Sequence, residues 1–206
     1  MLDNSSMHLA RLPLDEQLGA LRELLTHNDV LLDVLQRSAT LDLPNWYLTA
    51  GCVVQTVWNS LTGREPTAGI KDYDVFYFDD SDLSWEAEDV VIRRGAEVFG
   101  TGSSAQVEIR NEARVHLWYA DRFGVSYPAY TSTEDAIDSF PAGTCCVGVR
   151  LGPEPDRWRI YAPRGLSDLF GLVVRPNPGR APREVYEAKC VRWKQEWPEL
   201  TILPWT

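Results

Sequence analysis

Two hydrophobic rhythms divide the chain. Leu14, Leu18, Leu21 and Leu25 recur at helical spacing, and Leu31, Leu32, Val34 and Leu35 repeat it behind Asn28, a residue suited to cap a helix. The dozen residues before Leu14 carry no such rhythm and are expected to be unanchored. Residues 46–49, Trp-Tyr-Leu-Thr, are rich in β-formers, and Ala50-Gly51 ends them. Val53, Val54, Val57, Trp58 and Leu61 then mark one face of a helix. Beyond a polar loop holding Gly63, Pro66 and Gly69, residues 72–78 predict a second strand.

The rhythm continues with a helix over 85–99, a strand over 105–110 and a helical pattern over 111–119. A capping pattern, Ser132-Thr133-Glu134-Asp135, opens a short helix. Strands are expected over 144–151 and 157–161, joined by a turn at 152–156. A short helix begins near 165–170, a loop spans 176–179, and a last helix covers 183–196. No internal repeat and no low-complexity segment interrupts this order.

Composition narrows the class. The 206 residues suffice for one sizeable core or two small ones, and 44% hydrophobic with 24% charged is ordinary for a globular protein. Eight Trp predict aromatic-rich packing. A formal net charge of −10 argues against nucleic-acid binding over the whole surface. No apolar run reaches membrane-span length, so no membrane partner is expected, and residues 1–6 lack the basic and apolar regions of a signal peptide. Cys52, Cys145, Cys146 and Cys190 match no zinc spacing and read as free thiols of a cytoplasmic protein.

Candidate chemistry centres on residues 46–80. The helix opening at Gly51-Cys52 has four backbone N–H groups without helical partners and a positive dipole end, where a phosphate can sit. Asp72 and Asp74 alternate onto one face of their strand, where like charges repel and a divalent cation would relieve them. Two solvated carboxylates at an exposed strand end would show the same pattern. Glu108 is the natural third carboxylate if strand 105–110 lies beside 72–78; a surface Glu beside Arg110 is the alternative.

Asn111, Arg114 and Trp118 fall on one side of the next segment, so Asn111 and Arg114 could reach a phosphate or a base. His116, among Val115, Leu117 and Trp118, reads as a hydrogen-bonded core residue, and the acidic run 79–82 as a solvated turn. The C-terminal part concentrates Arg175, Arg180, Arg183, Lys189, Arg192 and Lys194. On the last helix Lys189 and Arg192 share a face and Lys194 points elsewhere, which suits anion or nucleic-acid docking as well as it suits a solvated helix.

Several stretches together resemble a known family. Ala50-Gly51 with Val57-Trp58, the run KDYDVFYFD at 71–79, NEARVHLWY at 111–119, APRGLSDLF at 162–170 and RPNP at 175–178 are similar, in order, to the polymerase-β-like nucleotidyltransferase superfamily. They lie nearest a branch of bacterial nucleotidyltransferase-like proteins, and the likeness covers roughly residues 46–205. It implies an α/β (α+β) fold, a mixed β-sheet flanked by helices, with residues 46–206 as the nucleotidyltransferase-like domain and residues 1–45 as helices packed on its core.

The resemblance further implies transfer of a nucleotidyl group from an NTP to an acceptor with Mg²⁺ or Mn²⁺ as cofactor. Asp72 and Asp74 would bridge two ions, Glu108 would complete the site near the acceptor and act as base, and Gly51 would admit the β- and γ-phosphates. Cys52 departs from the Ser usual in the superfamily, and Glu112 from the Gln usual in the branch. The acceptor can be a protein hydroxyl, a small molecule or an RNA end. A nucleotide-binding regulatory protein with weakened catalysis and a metal-dependent glycosyltransferase are the competing functions.

Overall fold

The computed structural model describes residues 4–100, 102–124, 127–152, 158–179 and 181–206. Three helices come first: α1 (Asn4–Leu9), α2 (Leu14–Leu25) and α3 (Asp29–Ala39). The Asn28 carboxamide accepts the Leu31 N–H at 3.0 Å and so closes the open end of α3. The start of the chain is not loose from residue 4 on. Gln17, itself buried, donates to the Leu9 and Ala10 carbonyls at 3.1 and 3.2 Å and to Ser167 Oγ at 3.1 Å, tying the end of α1 to the body. Six helical residues are too few to show a period, which is why the pattern missed them.

Next come β1 (Tyr47–Thr49), α4 (Gly51–Thr62), β2 (Tyr73–Tyr77), α5 (Trp85–Phe99) and β3 (Val107–Asn111). A 3₁₀ turn at Glu112–Arg114 leads into α6 (Val115–Phe123), followed by α7 (Thr133–Asp138). The remainder is β4 (Gly148–Leu151), β5 (Trp158–Tyr161), α8 (Ser167–Phe170), β6 (Val173–Val174), α9 (Arg183–Glu196) and β7 (Thr201–Ile202).

Five strands form one sheet in the order β3-β2-β1-β4-β5. Only the β2–β3 pair in it is parallel, and α5 makes the crossover that a parallel pair requires. The sheet is therefore mixed and flanked by helices. β6 and β7 form a separate parallel ribbon of two residues each, too short for any periodicity to reveal. The strand expected over 144–151 starts only at Gly148. Thr144 Oγ1 donates to the Val173 carbonyl and accepts from the Arg175 N–H, at 2.9 Å each, which draws residues 143–145 out of the sheet into a 3₁₀ turn. The turn expected at 152–156 lies, from residue 153, outside the described residues.

One hydrophobic cluster joins Leu21, Leu25 and Leu35 of the leading helices to Leu48, Val57, Val75 and Phe170, so α2 and α3 share the core of the rest. Trp58 is fully buried, with Trp193 and Trp197 packed edge-on at centroid distances of 5.5 and 5.4 Å. Trp197 Nε1 donates to Asn59 Oδ1 at 2.8 Å. These contacts seat α9 against α4, the pairing that later shapes the site. All four cysteines are free and buried. Among the described residues no helix is long and apolar enough to cross a membrane.

Candidate active site

Alternation along β2 separates core from site. Tyr73, Val75 and Tyr77 are buried in the core, while Asp74 and Phe76 face the other side. Asp72 stands just ahead of the strand rather than in it, and it opens onto the same cavity as Asp74. Asp74 is directly opposite Glu108 in the parallel register, so β3 does lie beside β2. Burial pushes the Asp74 carboxyl up to about 7, and the charges of Asp72 and Glu108 push the same way against the opposing pull of Lys189 and Arg110. Glu108 is turned toward Arg110, 3.4 Å away.

The cavity holds about 330 Å³. Gly51 and Gln55 of α4 line one part of it, Asp72 and Asp74 a second, and Lys189 and Arg192 of α9 a third. Ala50, at its rim, has φ 61° and ψ −137°, a backbone conformation that L residues rarely adopt. That sharp turn delivers the first N–H groups of α4 to the cavity. A Cβ on Gly51 would come within 2.9 Å of Gln55 Nε2, so the bare backbone there keeps the opening clear. Gln55 is 4% exposed, and its Oε1 has no hydrogen-bond partner among the described residues. Ala50 stands out in the sequence as a strand end and part of a family motif but not as a rim residue, and Gln55 does not stand out at all. A short apolar residue and a glutamine inside a helical stripe carry no signal until the fold brings them to the rim.

Other expected residues separate. The Cys52 thiol is fully buried and donates to the Thr49 carbonyl at 3.1 Å; burial raises it well above its ordinary value. Its side chain therefore serves the core, and only its backbone belongs to the helix start. Asn111 accepts the Asp79 and Ala113 N–H groups and donates to the Asp79 carbonyl, which stops the 111–119 helix from starting before the 3₁₀ turn. Arg114 is buried against Glu88, donates to the Leu83 carbonyl at 3.0 Å and lies over the Trp85 ring. Both clamp the loop between β2 and α5 to β3, and their polar groups are committed there instead of to a phosphate or base.

The basic residues also divide. Lys189 and Arg192 reach the cavity, whereas Lys194 Nζ binds the Pro198 and Leu200 carbonyls and fastens the chain after α9. Arg175 pairs with Asp168 and Arg183 with Glu187; Arg180 lies outside the described residues. His116 is half-buried, and its Nδ1 has no hydrogen-bond partner among the described residues, contrary to the expectation of a hydrogen-bonded core histidine.

Glu112 was noticed in the sequence only as a departure from a family pattern. It sits at the start of the 3₁₀ turn, 4% exposed. Burial pushes its carboxyl up to about 8, aided by the negative charge of Asp74 and opposed by Arg110. With Glu108 and Arg110 it lines a second groove, of about 450 Å³, on the other side of Asp74. Among the described residues no three His, Cys, Asp or Glu side chains are gathered closely enough to hold a metal ion as they stand.

A mixed sheet presents paired carboxylates to a cavity that a helix N-terminus and three cations, Lys71, Lys189 and Arg192, also border, an arrangement suited to a phosphate-bearing ligand. The chain belongs to a nucleotidyltransferase family, whose pattern matches residues 36–202. A solved NMR structure described as revealing a CCA-adding enzyme head domain is similar to it, with a TM-score of 0.71 and 27% identity over 96% of this chain and 100% of that one. No protein in the curated set matches it. The fold is thus the nucleotidyltransferase fold, and the protein is a transferase of nucleotidyl groups.

Proposed function

We propose that the enzyme takes its nucleotidyl group from an NTP bound in the 330 Å³ cavity, with Asp72 and Asp74 holding Mg²⁺ or Mn²⁺. One observation carries this reading: carboxylates and cations face one another across a single opening at the start of α4. The donor set fits a hard divalent cation, because Asp74 is half-buried beside two like charges that such an ion would offset. A bound ion supplies Lewis acidity at the α-phosphate and charge for the departing oxygens. Lys189, Arg192 and the backbone N–H groups from Gly51 bind the triphosphate and orient it. Glu108, one strand over, accepts the proton of the acceptor hydroxyl once its pairing with Arg110 is released. The helices α2 and α3 complete the core of the unit that does the chemistry. The similarity to a CCA-adding enzyme head domain supports the nucleotide side of the reading, and four free thiols suit a cytoplasmic setting.

Calorimetric titration of Mg-ATP, Mg-GTP, Mg-CTP and Mg-UTP against the full chain and against Asp72→Asn with Asp74→Asn tests it. The wild type binds at least one nucleotide only with Mg²⁺, and the double variant loses that binding while melting at the same temperature or higher, because a repulsive pair has been removed. Equal binding by both proteins would remove the metal from this site.

A further inference from the structure

We propose that the groove on the far side of Asp74 is the acceptor site, and that its occupant is a small hydroxylated amine whose ammonium is held by Glu112 and the neighbouring aromatic rings. This rests on the nucleotidyl-transfer reading of the adjoining cavity. The groove and the cavity meet at Asp74, Phe76 and Lys189, which line both. A hydroxyl lying in the groove is therefore next to the carboxylate that borders the nucleotide.

Glu112 carries the argument for an amine. It is 4% exposed, yet its carboxyl makes no hydrogen bond and no ion pair among the described residues, and the groove is what its side chain opens onto. Burying a carboxyl without a partner is costly, and removing one partner of a buried pair is how such a cost usually arises. A charged donor from a ligand supplies the missing partner. The protein offers none of its own, since Arg110 is turned to Glu108 and Arg114 to Glu88.

Aromatic rings add a second, independent feature. Trp118 packs on Tyr119 with centroids 6.1 Å apart, Tyr119 on Tyr127 at 4.8 Å, and Tyr127 on Tyr130 at 5.3 Å, a run of four rings that lines the same groove. Ring faces are negative and attract ammonium groups. Glu112 and Tyr130 line the same groove, so carboxyl and rings act on one region. A polyanion is disfavoured. Binding an RNA end needs a succession of Lys and Arg along the strand, whereas this groove has Arg110 and Lys189 against Asp74, Glu108 and Glu112, in a chain of net charge −10.

In the reaction the acceptor oxygen bonds to the α-phosphorus as the bond from that phosphorus to the pyrophosphate oxygen breaks. Pyrophosphate leaves with the electron pair, and the hydroxyl proton passes to Glu108.

Calorimetry on the full chain without nucleotide decides the matter. The probes are tyramine and glucosamine, their neutral counterparts 4-ethylphenol and glucose, and a short single-stranded RNA. The wild type is expected to bind the amines at least about tenfold more tightly than the neutral counterparts, the size of one charge-assisted hydrogen bond. Glu112→Gln should erase that ratio in a protein that still melts cooperatively, and Tyr127→Leu should weaken the amines while the protein stays folded. Equal binding of amine and neutral probes, tighter binding of RNA, or an unchanged ratio in Glu112→Gln would each overturn the proposal. Mg-ATP titrated into the same proteins separates the two readings. Amine binding without nucleotide binding would fault the transfer reading alone, and nucleotide binding without amine preference would fault this one.

Discussion

The cavity and the groove share Asp74, Phe76, Phe140, Pro141 and Lys189, yet they differ in character. The cavity is assembled from segments far apart in the chain, α4, β2 and α9, and its cations answer to an anion. The groove takes Glu108, Glu112, Trp118 and Tyr119 from one continuous stretch and adds Tyr127 and Tyr130 close behind, and its carboxyls and rings answer to a cation or a neutral ring. The contrast teaches how one strand serves two substrates. Asp74 stands between a side bordered by Lys71, Lys189 and Arg192 and a side bordered by Glu108 and Glu112, so a triphosphate is drawn more strongly to the first.

Trp58→Ala should break the comparison most severely. Trp58 is fully buried between Trp193 and Trp197, and its truncation is expected to cost about 3–5 kcal/mol in urea unfolding. At a temperature where the variant is still folded, nucleotide affinity should fall more than tyramine affinity, because the cavity is bordered by α4 and by Lys189, Arg192 and Trp193 of α9, whereas α9 gives the groove Val185 and Lys189. A parallel loss of both would show that the two hollows are one cooperative unit.

Lys189→Ala with Arg192→Ala sharpens it. Both side chains border the cavity, and loss of two charge-assisted contacts should weaken Mg-nucleotide binding about a hundredfold and flatten its salt dependence. Stability should change by no more than about 1 kcal/mol, since neither residue is in an ion pair among the described residues. Tyramine binding should not weaken. An unfolding shift larger than that with unaltered nucleotide binding would make the α9 cations structural.

The smallest effect is a dependence on pH. Folding raises Asp74 from 3.8 to about 7 and Glu112 from 4.5 to about 8, so the folded state binds these protons more tightly than the unfolded one. The stability they contribute is complete below the unfolded values and is lost as pH rises through the folded ones. In metal-free buffer the melting temperature should therefore decline between pH 5 and pH 8. Asp74→Asn with Glu112→Gln should flatten the decline. A melting temperature that rises over this range in the wild type would mean that the two carboxyls are ionised more readily than their burial implies.

The sequence by itself determined the helices and strands whose apolar residues repeat often enough to be counted. The helices at 85–99 and 183–196 match α5 and α9 residue for residue, and Asn28 and Ser132 cap the helices they were expected to cap. Period alone also put Asp74 and Glu108 on the faces of their strands that the structure shows, because alternation is a local property of extended chain. Only the tertiary structure decided which strands are neighbours and which polar groups are already engaged. Cys52 lies one residue past a half-buried turn that borders the cavity yet points into the core, because helical geometry turns each successive side chain by about a quarter circle. Asn111 and Arg114 carry the right chemistry for a ligand but are bound to Asp79 and Glu88, partners more than twenty residues away. Glu112 is the reverse case. Its carboxyl gains its character from being buried beside Asp74 with nothing opposite it, and burial and the lack of a partner are properties of the packed chain that no single residue or spacing contains.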